Sequence, residues 1–202
     1  MLIKHVVPKR LTVTILVLML LGSVLVKEAA AAAGQIVSYG PGKHLALDKD
    51  REGWQAIAEG QAYTLRVDAQ GAMTFLKNGR AVANGKLRGS MAKLSAAGSS
   101  YGQLKLKADK IKIALADDGF YGWTLKYKTD KIKVLKNRKK VGKVVFYPNT
   151  GKLKAKDVKN QEVAVMAGSS RISGILAPFL MGNEVNMDRR VCLVLMLLAL
   201  NR

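Results

Sequence analysis

Ten consecutive apolar residues, VCLVLMLLAL at 191–200, stand near the end of the chain. A helix that is apolar on every side must be enclosed on every side. At 1.5 Å rise per residue this one is about 15 Å long, half a bilayer core, and too short to span a membrane. The simplest place for it is the interior of the protein, wrapped by the apolar faces of other elements. Val191, Leu193, Val194, Leu195, Leu197, Leu198 and Leu200 are therefore expected to be the buried centre of the fold.

What wraps them is read from residues 53–167, where apolar and polar positions alternate. Leu104 and Leu106 alternate with Lys105 and Lys107, and Ile111 and Ile113 with Lys110 and Lys112. Trp123, Leu125 and Tyr127 alternate with Thr124, Lys126 and Lys128, and the pattern returns at Lys131–Val134 and Lys152–Lys156. A period of two places apolar residues on one sheet face and lysines on the other. Turn residues interrupt it at Ala69-Gln70-Gly71, Asn78-Gly79, Asn84-Gly85, Asp117-Asp118-Gly119 and Pro148-Asn149-Thr150-Gly151, which reads as antiparallel strands.

The strands also repeat. LKLKADKIKI (104–113) and LKYKTDKIKV (125–134) align at an offset of 21, and Lys131-Ile132-Lys133 recurs as Lys152-Leu153-Lys154 at the same offset. Each period is strand, tight turn, strand, and the span from Gly40 to Met166 gives about 12 strands. The predicted fold is mainly β: an antiparallel barrel of repeated hairpins (34–168) enclosing hydrophobic C-terminal helices (169–202). A β-solenoid, or an open sheet packed on those helices, is the alternative. From Ser169 the period changes to a helical stripe of Ile172, Ile175, Leu176, Phe179 and Leu180, broken by Pro178 and stopped at Gly182-Asn183. Asn186 is a good N-cap for the last helix, with Asp188 in its first turn.

Residues 1–33 read as a secretory signal peptide. Lys4, His5, Lys9 and Arg10 precede the apolar run 11–26, and Ala29–Ala33 offers A-x-A sites for cleavage after Ala31 or Ala33. An uncleaved anchor is the alternative, but a 16-residue apolar run is shorter than the ~20 residues that usually cross a bilayer. No Cys follows that run to carry a lipid. Export without disulfide chemistry points to a bacterial periplasm, envelope or medium. Residues 34–202 then form one domain of 169 residues with 30 basic and 13 acidic side chains, net +17.

The strand pairs at 104–113, 125–134 and 144–155, with the apolar segment Arg190–Leu200, resemble the tubby-like superfamily. That group includes the tubby C-terminal domain, the LURP-one-related proteins and the phospholipid scramblases. The resemblance covers residues 60–202 and implies a 12-stranded barrel closed around a hydrophobic C-terminal helix. It also implies lipid or membrane association, as in some members, and transfers no ligand-binding residue. The segment 135–157 is similar to small exported bacterial proteins of unknown function.

Chemistry-bearing motifs are sparse. Gly98-Ser99-Ser100-Tyr101-Gly102 fits G-x-S-x-G, yet its surroundings are β and the one His of the mature chain, His44, precedes it; a Gly/Ser loop is the better reading. Asp48, Asp50 and Glu52 lack the spacing of a calcium loop. Cys192 sits inside the apolar run and reads as a buried small hydrophobe. Trp123, Tyr127, Phe146 and Tyr147 read as core aromatics rather than a stacking platform. The expectation is a non-enzymatic protein with no cofactor and no metal.

The lysines are what remains. Lys105, Lys107, Lys110, Lys112, Lys126, Lys128, Lys131, Lys133, Lys152 and Lys154 are expected on outer sheet faces, as a surface for anionic lipid, lipopolysaccharide or cell-wall polymer. Export favours these over nucleic acid. Two other readings stand beside it: a structural or assembly protein of the envelope whose charge is incidental, and a hydrolase using Ser100 or a carboxylate pair.

Overall fold

The structure, a computed structural model, describes residues 34–51, 53–115, 121–167 and 170–200. The expected signal peptide 1–33, Glu52, Asp117, Asp118, Gly119 and the side chain of Ile172 lie outside the described residues.

Among the described residues fourteen strands follow one another in antiparallel succession: β1 Gln35–Gly40, β2 Lys43–Lys49, β3 Gly53–Ala58, β4 Gln61–Val67, β5 Ala72–Lys77, β6 Arg80–Arg88 and β7 Met91–Ala96. They continue as β8 Ser99–Lys107, β9 Lys110–Ala114, β10 Trp123–Tyr127, β11 Lys131–Lys136, β12 Lys139–Tyr147, β13 Lys152–Asp157 and β14 Glu162–Ala167. Each pairs antiparallel with the next, and β1 closes on β14 through Val37 opposite Met166 and Ser38 opposite Val165. The sheet is a closed barrel, so it has no edge to aggregate through. The count exceeds the expected 12 because hairpins begin at Gln35, ahead of the lysine-rich repeats.

The 21-residue repeat is structural. Leu104–Ile113, Lys105–Lys112 and Leu106–Ile111 face one another across β8–β9. Leu125–Val134, Lys126–Lys133 and Tyr127–Ile132 do so across β10–β11, each residue 21 positions on. At Asn78-Gly79 both residues have positive φ (49° and 76°), the mirror-image turn that matches the twist of a tight hairpin. Asn84-Gly85, expected as a turn, instead continues β6. A Cβ at Gly85 would lie 1.7 Å from the Lys93 carbonyl oxygen, so the glycine serves close strand approach.

Past β14 the chain enters 3-10 turns over Ser170–Glu184, where the sequence predicted an α-helical stripe. Pro178 lies within the segment and cannot donate a backbone hydrogen bond there. Ile175, Leu176 and Phe179 are buried as expected, and Leu180 is half-buried. The α-helix α1, Met187–Leu200, then follows, with the Asn186 Oδ1 accepting the Arg189 N–H at 3.0 Å as its cap. Val191 to Ala199 are all buried; Leu200, expected in the centre, is only half-buried in the last turn.

The filling of the barrel is shared. α1 packs on β3, β4, β7 and β8, the 3-10 segment packs on β11 to β14, and the two pack on each other. Inward positions facing them are often small: Ala56 and Ala58 on β3, Ala92 on β7, Gly102 on β8, Gly142 on β12, Ala155 and Ala164 on β13 and β14. A Cβ at Gly102 would touch the Leu193 Cδ2 at 3.4 Å, and one at Gly142 would meet Leu180 Cδ2 at 2.8 Å. Large inward side chains of the strands supply the rest of the filling, with Met73 and Phe75 on β5, Ile111 and Ile113 on β9, and Trp123 and Leu125 on β10.

One acid fastens the helix start. Asp188 accepts the Tyr63 hydroxyl at 2.7 Å and the Lys77 ammonium at 2.9 Å, pinning α1 to β4 and β5. Burial pushes the Asp188 carboxyl up, but the hydrogen bonds from Lys77 and Tyr63 outweigh it and hold the carboxyl below its usual range. A depressed carboxylate stabilises the fold above its unfolded pKa of about 3.9 and loses that contribution as pH falls through the folded value. Asp188→Asn is therefore expected to cost about 1–2 kcal/mol at neutral pH. In thermal melts followed by circular dichroism, the gap between variant and parent should narrow as pH falls below the unfolded carboxylate value and close once the folded carboxyl is protonated.

Candidate anion-binding surface

The barrel is apolar within and basic without, the reverse of a membrane-spanning barrel, whose outward band is apolar. Among the described residues no helix is long and apolar enough to cross a membrane. Charge is also unevenly spread. Residues 99–157, which hold β8 to β13, carry 16 basic and 5 acidic side chains, net +11 of the +17 counted for residues 34–202.

Strand register turns the alternating lysines into a row. Lys107 faces Lys110 across β8–β9, and Lys110 faces Lys126 across β9–β10. Lys126 faces Lys133, Lys133 faces Lys143, and Lys143 faces Lys156 on β13. Six lysines thus lie side by side on six adjacent strands, and the row ends where Lys156 faces Glu162 on β14. With strands about 4.8 Å apart, the row spans roughly 24 Å. Lys105 and Lys112, mutually opposed, lie two residues along the same strands. Lys152 and Lys154 lie outward on β13, and Lys131 outward on β11. Lys128 falls just past the end of β10, where its N–H donates to the Lys131 carbonyl.

Like charges directly opposite one another destabilise a sheet. The row has five such pairs and little internal compensation. Lys110 has Asp109 at 3.5 Å, and Lys156 lies over the Tyr147 ring at 5.2 Å. Among the described residues no carboxylate lies within 4.0 Å of Lys107, Lys126, Lys133 or Lys143. Beside the row, Lys154 donates to Glu162 at 2.8 Å, which raises the Lys154 pKa. Lys131 donates to Asp130 at 2.7 Å, which lowers the Asp130 pKa.

A cleft of about 700 Å³ opens along the row between β9 and β11. Lys110, Lys112, Lys126 and Arg138 line it together with Tyr121 and Asn137, and no described lining residue is acidic. Lys112 lies over the Tyr121 ring at 5.9 Å. Such a cleft attracts phosphate or carboxylate groups and offers a ring edge and an amide to orient them. The register that builds row and cleft was not readable from alternation alone, which fixes a residue's face but not its neighbour on the next strand.

A second cleft, about 510 Å³, lies where β1 meets β14 and includes Tyr39, Phe179, Glu162 and Arg190. Its cation is already engaged: Arg190 donates to the carbonyls of Gly182 at 2.8 Å and Val185 at 3.2 Å and lies over the Phe179 ring. That makes it a clasp between the 3-10 segment and α1.

The other sequence candidates are dispersed. Ser100 is buried on β8 opposite Ser95, while His44 sits on β2, six strands away in the barrel order, where its Nδ1 is 3.1 Å from the Ser38 hydroxyl. Asp50 accepts the Gly53 N–H at 2.9 Å and a bond from the Gln55 amide, as in a capped turn. No group of three or more His, Cys, Asp or Glu among the described residues is placed to hold a metal. The Cys192 thiol is buried against Met196 at 3.7 Å, and burial pushes its pKa up. Trp123 is core, Tyr127 and Phe146 are half-buried against it, and Tyr147 lies outward beneath Lys154 and Lys156. No protein-family model matches the chain, and no curated protein matches it.

Proposed function

We propose that this is an exported, non-enzymatic protein of a bacterial envelope, and that the outer face of β8 to β13 holds anionic lipid or polymer by charge. The observation that carries the reading is the row Lys107–Lys110–Lys126–Lys133–Lys143–Lys156, five opposed like-charge pairs with few internal partners. A barrel selected for stability alone would alternate signs there. Lipid or membrane association implied by the tubby-like resemblance agrees with this reading.

The test is co-sedimentation with vesicles of phosphatidylglycerol or of phosphatidylcholine across a salt series. Attraction amounts to about 1 kcal/mol per lysine near an anionic surface, and it weakens over a Debye length of ~10 Å at 0.1 M salt. Binding is expected for the anionic vesicles at low salt, to fall steeply as salt rises, and to be absent for neutral ones. Changing Lys105, Lys107, Lys126 and Lys128 to Gln should weaken it while the melting temperature does not fall. Salt-insensitive binding that survives the four substitutions would contradict the proposal.

A further inference from the structure

The row does not lie on a flat face. Strands β11, β12, β13 and β14 all pack on the same 3-10 segment, so the sheet curls around it and its outer side is convex. The row crosses onto that convexity: Lys107, Lys110 and Lys126 lie on β8 to β10, Lys133, Lys143 and Lys156 on β11 to β13. It covers five of the fourteen strand-to-strand steps of a closed ring, more than a third of the way round. A planar bilayer touches a convex surface along only a few adjacent strands. A flexible chain follows the curve and meets every lysine in turn.

We infer that the Lys107-to-Lys156 row is a track for one linear polyanion, which wraps the curl formed by β11 to β13 rather than presenting the barrel to a flat membrane. The inference rests on the proposed anion-binding reading and narrows its partner to a flexible chain bearing phosphate or carboxylate groups at close intervals. The cleft lined by Lys110, Lys112, Lys126 and Arg138 lies on the track and gives such a chain a seat partway along it. The run of opposed lysines ends at Glu162, which faces Lys156 and is paired with Lys154 at 2.8 Å.

The test compares long-chain polyphosphate, tripolyphosphate and a supported phosphatidylglycerol bilayer, by calorimetry for the soluble anions and surface resonance for the bilayer. Two variants remove equal charge from opposite ends of the row: Lys107→Gln with Lys110→Gln, and Lys143→Gln with Lys156→Gln. A third, Lys43→Gln with Lys49→Gln on β2, removes it off the row. Long-chain polyphosphate is expected to bind far more tightly than tripolyphosphate. Each end pair should weaken the long chain by about 25-fold, a factor of about five per lysine, with the β2 pair having much less effect. Comparable affinity for tripolyphosphate and the long chain, or sensitivity to one end pair only, would overturn the track. Bilayer binding that depends on one end pair, with no preference for long chains, would reject the wrapped polymer and leave the electrostatic reading standing. Loss of salt-dependent binding to all three would reject both. Thermal melts of each variant guard against misfolding, since exposed Lys→Gln changes leave the core intact.

Discussion

Leu195→Asp is expected to leave no cooperatively folded protein. Leu195 is fully buried at the middle of α1, which packs on β3, β4, β7 and β8 and on the 3-10 segment. A carboxylate there has no described partner, and an unpaired buried charge costs several kcal/mol or more, comparable to the whole stability of a domain. Ending the chain after Asn186 should have the same outcome for a different reason. The inward faces of β3, β7 and β8 carry Ala56, Ala58, Ala92 and Gly102, which are too small to meet across the lumen once α1 is gone. The check is urea unfolding followed by tryptophan fluorescence, since Trp123 is in the core. A soluble truncated chain with a cooperative transition would show that the strands hold without their filling.

Lys126→Glu is expected to move stability and binding in opposite directions. Lys126 faces Lys110 on one side and Lys133 on the other. The change converts two repulsions into two attractions, worth about 1 kcal/mol together. For a domain of this size that raises the melting temperature by about 2–4 °C. The same change removes two units of charge from the centre of the row and from the lining of the cleft. Affinity for anionic vesicles should fall by about 2 kcal/mol, roughly thirtyfold. A variant that binds as before would remove the row from the mechanism. One that binds weakly and also melts earlier would mean that Lys126 supports the sheet rather than a partner.

How far the fold was legible follows from which physical signal each part carried. The apolar run at 191–200 and the alternation at 104–134 settled a helix enclosed by sheet, because burial on all sides and period-two patterning have few other solutions. The 21-residue repeat even carried the register of β8–β9 onto β10–β11. The strands β1 and β2 were weaker signals: QIVSYG and KHLALDK lack the lysine alternation, and the count came out low. The stripe through Ile175 and Phe179 has helical spacing, but Pro178 and Gly182 (φ 61°) leave it in 3-10 turns. The Tyr63–Asp188–Lys77 contact joins positions more than 100 residues apart, and its sole local trace was an acid at the start of an apolar helix. The pairing of Lys133 with Lys143 depended on a register shift across β11–β12 next to Val134, and the end of the row at Glu162 on one across β13–β14 next to Ala155, shifts that face patterning does not encode.

Lysine footprinting measures the central claim most directly. The protein is acetylated under limiting reagent, with and without saturating long-chain polyphosphate, and each lysine is quantified by mass spectrometry. The account predicts protection concentrated at Lys107, Lys110, Lys126, Lys133, Lys143 and Lys156, with Lys43, Lys49 and Lys86 reacting as in the free protein. Protection spread evenly over the barrel, or concentrated on β2 to β6, would contradict it.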